Sequence, residues 1–166
     1  IKKSKLTLRN VKNTNNTRKN QLIESDGGNE NVLVAVIGKT ARLTTDQDIQ
    51  VNALNGIRQT GLYAGDFSTT PSNAGGIINF AGKLNVSGAA SKGIVVDKAG
   101  TSSATGAVIN NTGEVNISGG SYYDAVLNKT VGTVGVIVNG EYSKFTSSGA
   151  GSKLKVDVAD KESTAV

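Results

Sequence analysis

The side chains able to do chemistry are few in this sequence, and they first set which chemistries are excluded. Among its 166 residues there is no Cys and no His. Without thiol or imidazole there is no disulfide, no Cys or His metal ligand and no Ser-His-Asp relay. Gly38-Lys39-Thr40 has the ending of a phosphate-binding loop, but Leu33 stands where that loop needs its first Gly. Gly149-Ala150-Gly151 lacks the third Gly and the following helix of a dinucleotide-binding turn. Asp46 and Asp48, joined by Asp66, would offer oxygen ligands to Ca²⁺, yet the Gly-Gly-x-Gly-x-Asp nonapeptide of calcium-binding β-rolls never occurs. No metal and no cofactor is expected.

Carbohydrate cleavage needs carboxylates gathered with Lys or Arg. Arg42, Asp46, Asp48 and Arg58 come nearest to such a group, and Asp97, Glu114, Asp124 and Glu141 are scattered. The expectation is therefore a chain that binds and does not catalyse. Tyr122, Tyr123 and Phe67 are the expected partner contacts, since an aromatic ring with a polar tip anchors a protein or a sugar. Tyr63 and Tyr142 are expected in strands and are assigned to packing. Asn-x-Ser/Thr triplets at Asn15, Asn85, Asn110, Asn116 and Asn128 follow from composition, and the last four fall in expected strands, where a glycan would obstruct pairing.

Net charge is +5, concentrated at one end. Lys2, Lys3, Lys5, Arg9, Lys12, Arg18 and Lys19 lie in residues 1–20 with no acid among them. This reads as a solvated Asn/Lys-rich lead-in. No aromatic residue interleaves the charges, so specific nucleic-acid binding is not expected. No run of 18 apolar residues is long enough to span a bilayer as a helix.

The elements that must carry these residues are strands. Gly (21 residues), Asn, Thr and Ser supply turns, aromatics make up 4%, and Val and Ile outnumber Leu. Gly interrupts every window before a helix reaches useful length. Self-comparison gives a repeat of 31 residues: Ile77-Ile78-Asn79 through Lys83-Leu84-Asn85-Val86-Ser87-Gly88 lies over Val108-Ile109-Asn110 through Glu114-Val115-Asn116-Ile117-Ser118-Gly119. At the same offset Gly93–Lys98 lies over Asp124–Lys129, and a looser third copy starts at Gly135-Val136-Ile137-Val138-Asn139 and resumes at Leu154-Lys155-Val156. Upstream, Thr60–Ala64 echoes Lys92–Val96. Each unit reads as three short strands, best seen at 107–110, 114–118 and 124–128. Alternation in Glu114–Ser118 turns Val115 and Ile117 to one side. Strands this short are stable only when equivalent strands stack on them. Asn79, Asn110 and Asn139 recur after an apolar pair and predict a ladder of amide hydrogen bonds along the stack. Val32–Ile37 reads as a strand buried on both faces or central in a sheet.

The fold expected is all-β, a right-handed parallel β-helix with about three short strands per turn. Residues 1–20 form the basic lead-in, 21–75 irregular first turns, 76–158 the regular turns, and 159–166 a tail or link to the next turn. The unit Ile109-Asn110-Asn111-Thr112-Gly113-Glu114-Val115-Asn116-Ile117-Ser118-Gly119 resembles the Asn-x-Gly-x-Ile-x-Ile-x-Gly repeats of type V autotransporter passenger domains. Its Asn- and Lys-rich character is similar to the large fusobacterial adhesins. The resemblance covers residues 76–140. It implies a stalk segment at the bacterial surface or secreted, held to the outer membrane by a C-terminal barrel outside this sequence. The implied partners are proteins or glycans of host cells or of other bacteria. A structural fibre element of a phage tail or surface layer is the alternative, and a β-helix polysaccharide lyase or hydrolase a more distant one.

Overall fold

The computed structural model describes residues 21–25, 28–38, 41–44, 49–54, 56–65, 75–97 and 106–166. The basic residues 1–20, Lys39, Thr40, Asp46, Asp48, Asp66 and Phe67 lie outside the described residues, as does the Pro71 loop.

Short β-branched runs cut by Gly and Asn turns give three parallel sheets that the chain visits in a fixed order. The first sheet holds β1 (Gln21–Ser25), β4 (Ile49–Ala53), β7 (Lys83–Ser87), β10 (Glu114–Gly119) and β15 (Lys153–Val158). The second holds β2 (Val32–Ile37), β5 (Thr60–Gly65), β8 (Lys92–Asp97) and β13 (Val134–Asn139). The third holds β3 (Arg42–Thr44), β6 (Ile77–Phe80), β9 (Val108–Asn111) and β14 (Lys144–Ser147). Parallel neighbours need a crossover between them. Here the crossover is a strand from each of the other two sheets, so each round of three strands stacks on the last. No helix occurs among the described residues.

The register puts like on like. In the first sheet Ile23, Val51, Leu84, Val115 and Leu154 form one column, and Ala53, Val86, Ile117 and Val156 another. Val34, Leu62, Ile94 and Val136 run through the second sheet, and Leu43, Ile78, Ile109 and Phe145 through the third. These columns meet in one core. Each fully buried aliphatic contributes about 1.5–3 kcal/mol before ordering entropy is subtracted.

The core is tight enough to dictate glycine at one column. Gly61, Gly93 and Gly135 follow the first residues of β5, β8 and β13. A Cβ at Gly93 would lie 1.9 Å from Ile117 Cδ1 and 2.6 Å from the Gly135 oxygen. At Gly61 it would meet Leu84 and Val86, and at Gly135 it would meet Val156.

A polar column fills the corner between the first and second sheets. Gln59, Ser91 and Thr133 are fully buried. The Gln59 amide donates to Ser91 Oγ (3.1 Å), the Ser91 amide to Thr133 Oγ1 (3.3 Å) and the Thr133 amide to Ser163 Oγ (3.0 Å). Each buried N–H at the turn thus finds a hydroxyl from the next round, which removes the penalty of an unmade hydrogen bond.

Three expectations are corrected. Residues 124–129 do not stack on β8: Tyr122–Asp124 (β11) and Lys129–Val131 (β12) form an antiparallel hairpin, and β13 takes the place over β8. The copy beginning at Gly135 therefore belongs to the second sheet, and Asn139 pairs with Asp97, 42 residues away, donating to Asp97 Oδ1 at 2.9 Å. It is not in line with Asn79 and Asn110, whose column continues to Thr146. Finally, β2 is the outermost of the described strands of its sheet and is not central, while its consecutive residues Leu33 and Val34, which alternate to opposite faces, are both buried.

Candidate functional site

The 31-residue spacing of Asn79 and Asn110 is kept in the third sheet, but Ser91 and Thr133 of the corner column are 42 residues apart. The excess is residues 121–131, the hairpin. It leaves the stack at Gly120 and returns at Gly132, and Tyr122 opposite Val131 brings its two ends together.

The hairpin is bolted down by charge. Asp124 is 2% exposed. Its Oδ1 accepts the turn amides of Val126 (2.9 Å) and Leu127 (3.0 Å), and its Oδ2 pairs with Arg58. Arg58 also pairs with Glu30 of the preceding round and lies 5.8 Å from the Tyr122 ring centroid. One guanidinium therefore ties two rounds of the stack to the hairpin. The Leu127 amide, followed by that of Val126 and by Arg58, holds the Asp124 carboxyl below the ordinary carboxylate range against the opposing effect of burial. The hydrogen bond from Arg58 to Glu30, with the Asp124 charge, raises the guanidinium pKa. Arg58 sits at φ 56, next to the corner, where Glu30 (φ 60) and Ala90 (φ 54) occupy the same left-handed turn.

Between hairpin and second sheet runs a groove of about 470 Å³, lined by Val32, Tyr63 and Val95 on one side and Leu127 and Val131 on the other. Lys92 and Asp97 lie along it. Tyr63 Oη reaches Asp97 Oδ2 at 3.5 Å. Beyond the groove the hairpin is exposed: Tyr122 36%, Tyr123 56%, Val126 93% and Leu127 57%. Tyr123 Oη donates to Asn128 Oδ1.

Tyr122 and Tyr123 thus stand together on a projecting element, while Phe67 is outside the described residues. Tyr63 is buried in β5, and Tyr142 is half-buried in the turn before β14, not in a strand. Arg42 lies in β3 of the third sheet and Arg58 at the corner before β5, on different parts of the round. Val126 and Leu127, expected in a stacked strand, lie in the turn of the hairpin, and Arg58 and Asp124, which the sequence leaves scattered, form a pair. No signal joins those two, 66 residues apart.

Two amide ladders run along the outer surface. Asn110 donates to Asn79 Oδ1 at 2.9 Å. On the first sheet Asn116 donates to Asn85 (3.2 Å), Asn85 to Asn52 (2.8 Å) and Asn52 to Glu24 (3.2 Å). This second ladder was visible in principle, because Asn85 and Asn116 occupy one place in the repeat. Asn116 also donates to Glu114 Oε1, and that bond with the nearby Lys83 ammonium lowers the Glu114 pKa. The ladders pair their amides internally and serve the stack.

No protein-family model, no curated protein and no solved structure matches the chain.

Proposed function

We propose that the chain is a stretch of right-handed parallel β-helix from an autotransporter-type surface protein, and that it mediates attachment to host cells or to other bacteria. The observation that carries this reading is the hairpin of residues 121–131. Among the described residues the stack of parallel strands carries one antiparallel hairpin, fixed by the pairing of the buried Asp124 carboxylate with the part-exposed Arg58 and presenting Tyr122, Tyr123, Val126 and Leu127 to solvent. Exposed aromatic and aliphatic groups on a rigid support are what a binding site needs, and a stalk gains nothing from them. The stacked parallel sheets supply the support, and the sequence resemblance of residues 76–140 supplies the setting.

The test is adhesion of the purified, labelled chain to epithelial cells and to bacterial cells. The Tyr122→Ser/Tyr123→Ser pair should weaken attachment while leaving the β-sheet circular dichroism in place. Equal attachment by both proteins removes the tyrosines from the site. A structural fibre element would share the same stack, but the unaltered chain would then attach to neither cell type.

A further inference from the structure

At the turn of the hairpin the polar groups already have partners within it, and the Tyr122 and Thr130 hydroxyls and the Lys129 ammonium stand further back along its strands. The turn amides of Val126 and Leu127 both donate to Asp124 Oδ1, and the Tyr123 hydroxyl donates to Asn128. What the tip offers outward is aliphatic: Val126 is 93% exposed and Leu127 57%. Sugar recognition depends on side-chain hydrogen bonds to ring hydroxyls set beside an aromatic face, and aliphatic groups give none. A pocket in a protein, by contrast, gains from burying Val and Leu side chains whose own backbone needs no new partner. The geometry is fixed beforehand by the Asp124–Arg58–Glu30 chain, so little ordering entropy is lost on docking. Within residues 121–131 the charged side chains are Asp124, which is buried, and Lys129, which is exposed. The exposed charge of the hairpin itself is therefore positive, and Lys92 and Asp97 face it across the groove.

We infer that the hairpin docks into an apolar pocket of a protein, with Val126 and Leu127 as the inserted anchors and Lys129 facing an acidic rim, and that a glycan is not its ligand. The inference rests on the adhesive reading and narrows its partner. Arg58 and Asp124 are positioning residues for the anchors.

The experiment uses the labelled chain on epithelial and bacterial cells left untreated, oxidised with periodate to destroy sugar diols, or shaved with protease. Attachment should survive periodate and be lost after protease. Val126→Ser/Leu127→Ser should reduce it at least ~10-fold, as expected for central anchors, and Lys129→Glu by a smaller factor that shrinks in high salt. Both variants should keep the circular dichroism of the parent, since these side chains stand in solvent. Loss on periodate overturns the inference and leaves the adhesive reading intact. So does protease-sensitive attachment that ignores the Val126/Leu127 pair. If the unaltered chain attaches to no cell, the adhesive reading fails first and the inference falls with it.

Discussion

At the scale of single residues, what a position tolerates is set by the residue stacked above and below it. Gly93 follows the first residue of β8, where its missing side chain makes room for Ile117, and an added Cβ would sit 1.9 Å from Ile117 Cδ1. Gly93→Ala should cost ~1–3 kcal/mol through overpacking, and Ile117→Ala ~2–5 kcal/mol through the cavity it leaves. The double variant should cost less than the sum, because the shortened side chain vacates part of the space the methyl enters, while the Gly135 oxygen at 2.6 Å still opposes it. Urea unfolding of the four proteins measures this, and simple additivity would show that Ile117 is not what excludes the side chain. Amides divide the same way by burial. Asn111 is fully buried, accepts from the Gly113 amide (3.0 Å) and donates to Ser147 Oγ (3.0 Å). Its replacement by Ala orphans a buried N–H and should cost ~1–3 kcal/mol. Asn85→Ala, on a half-exposed ladder where water can substitute, should cost ~1 kcal/mol or less.

At the scale of elements, the hairpin is separable from the stack. Excising residues 121–131 joins Gly120 to Gly132 and returns the 42-residue spacing of the corner column to 31. The shortened chain should keep its parallel-sheet circular dichroism, unfold cooperatively and no longer attach to cells, and a collapse of the β-sheet signal would mean that the hairpin is structural. Its attachment is also pH-dependent with a defined sign. The native Asp124 pKa is depressed, so its contribution is complete above the ordinary carboxylate value of about 3.9 and drains away as pH falls through the lower native value. Amide hydrogen exchange at Val126 and Leu127 should therefore stay slow at neutral pH and lose protection in acid before β7 and β10 do. Arg58→Ala should bring that loss to higher pH. The sequence let the middle strands of the first and third sheets be read, because Leu84–Val86 over Val115–Ile117 and Ile78-Asn79 over Ile109-Asn110 repeat without a gap, but the next strand of the third sheet, Lys144–Ser147, lies outside the repeat, which points instead to residues 135–139. The second sheet was misread from Asp124 onward: Ala125-Val126-Leu127 in the hairpin turn imitates Ile94-Val95-Val96, and nothing local separates an exposed turn from a stacked strand. The corner was illegible for another reason. Its column passes through Gln59, Ser91 and Thr133, and its left-handed positions hold Glu30, Arg58 and Ala90, so chemistry and conformation recur there while residue identity does not.

At the scale of the whole molecule, stability accrues round by round, because each strand touches the strand before and the strand after it. Position along the stack should then matter as much as residue type. Leu84 and Leu154 share a column, yet Leu84 lies between Val51 and Val115 and is fully buried, while Leu154 lies on the terminal strand β15 and is 37% exposed. The end it occupies is incompletely covered: Val138 is 45% exposed, and Thr164, paired with Val134, starts along β13. Leu84→Ala removes contacts to two rounds and leaves a closed cavity, at a cost of ~2–5 kcal/mol. Leu154→Ala loses one neighbour and opens onto solvent, at a cost of about 1 kcal/mol or less, within the range of surface changes. The urea midpoints of the two variants separate the alternatives. Equal losses would mean that the strands unfold as one indivisible core with no gradient along the stack, and the neighbour-by-neighbour account of this chain would have to be abandoned.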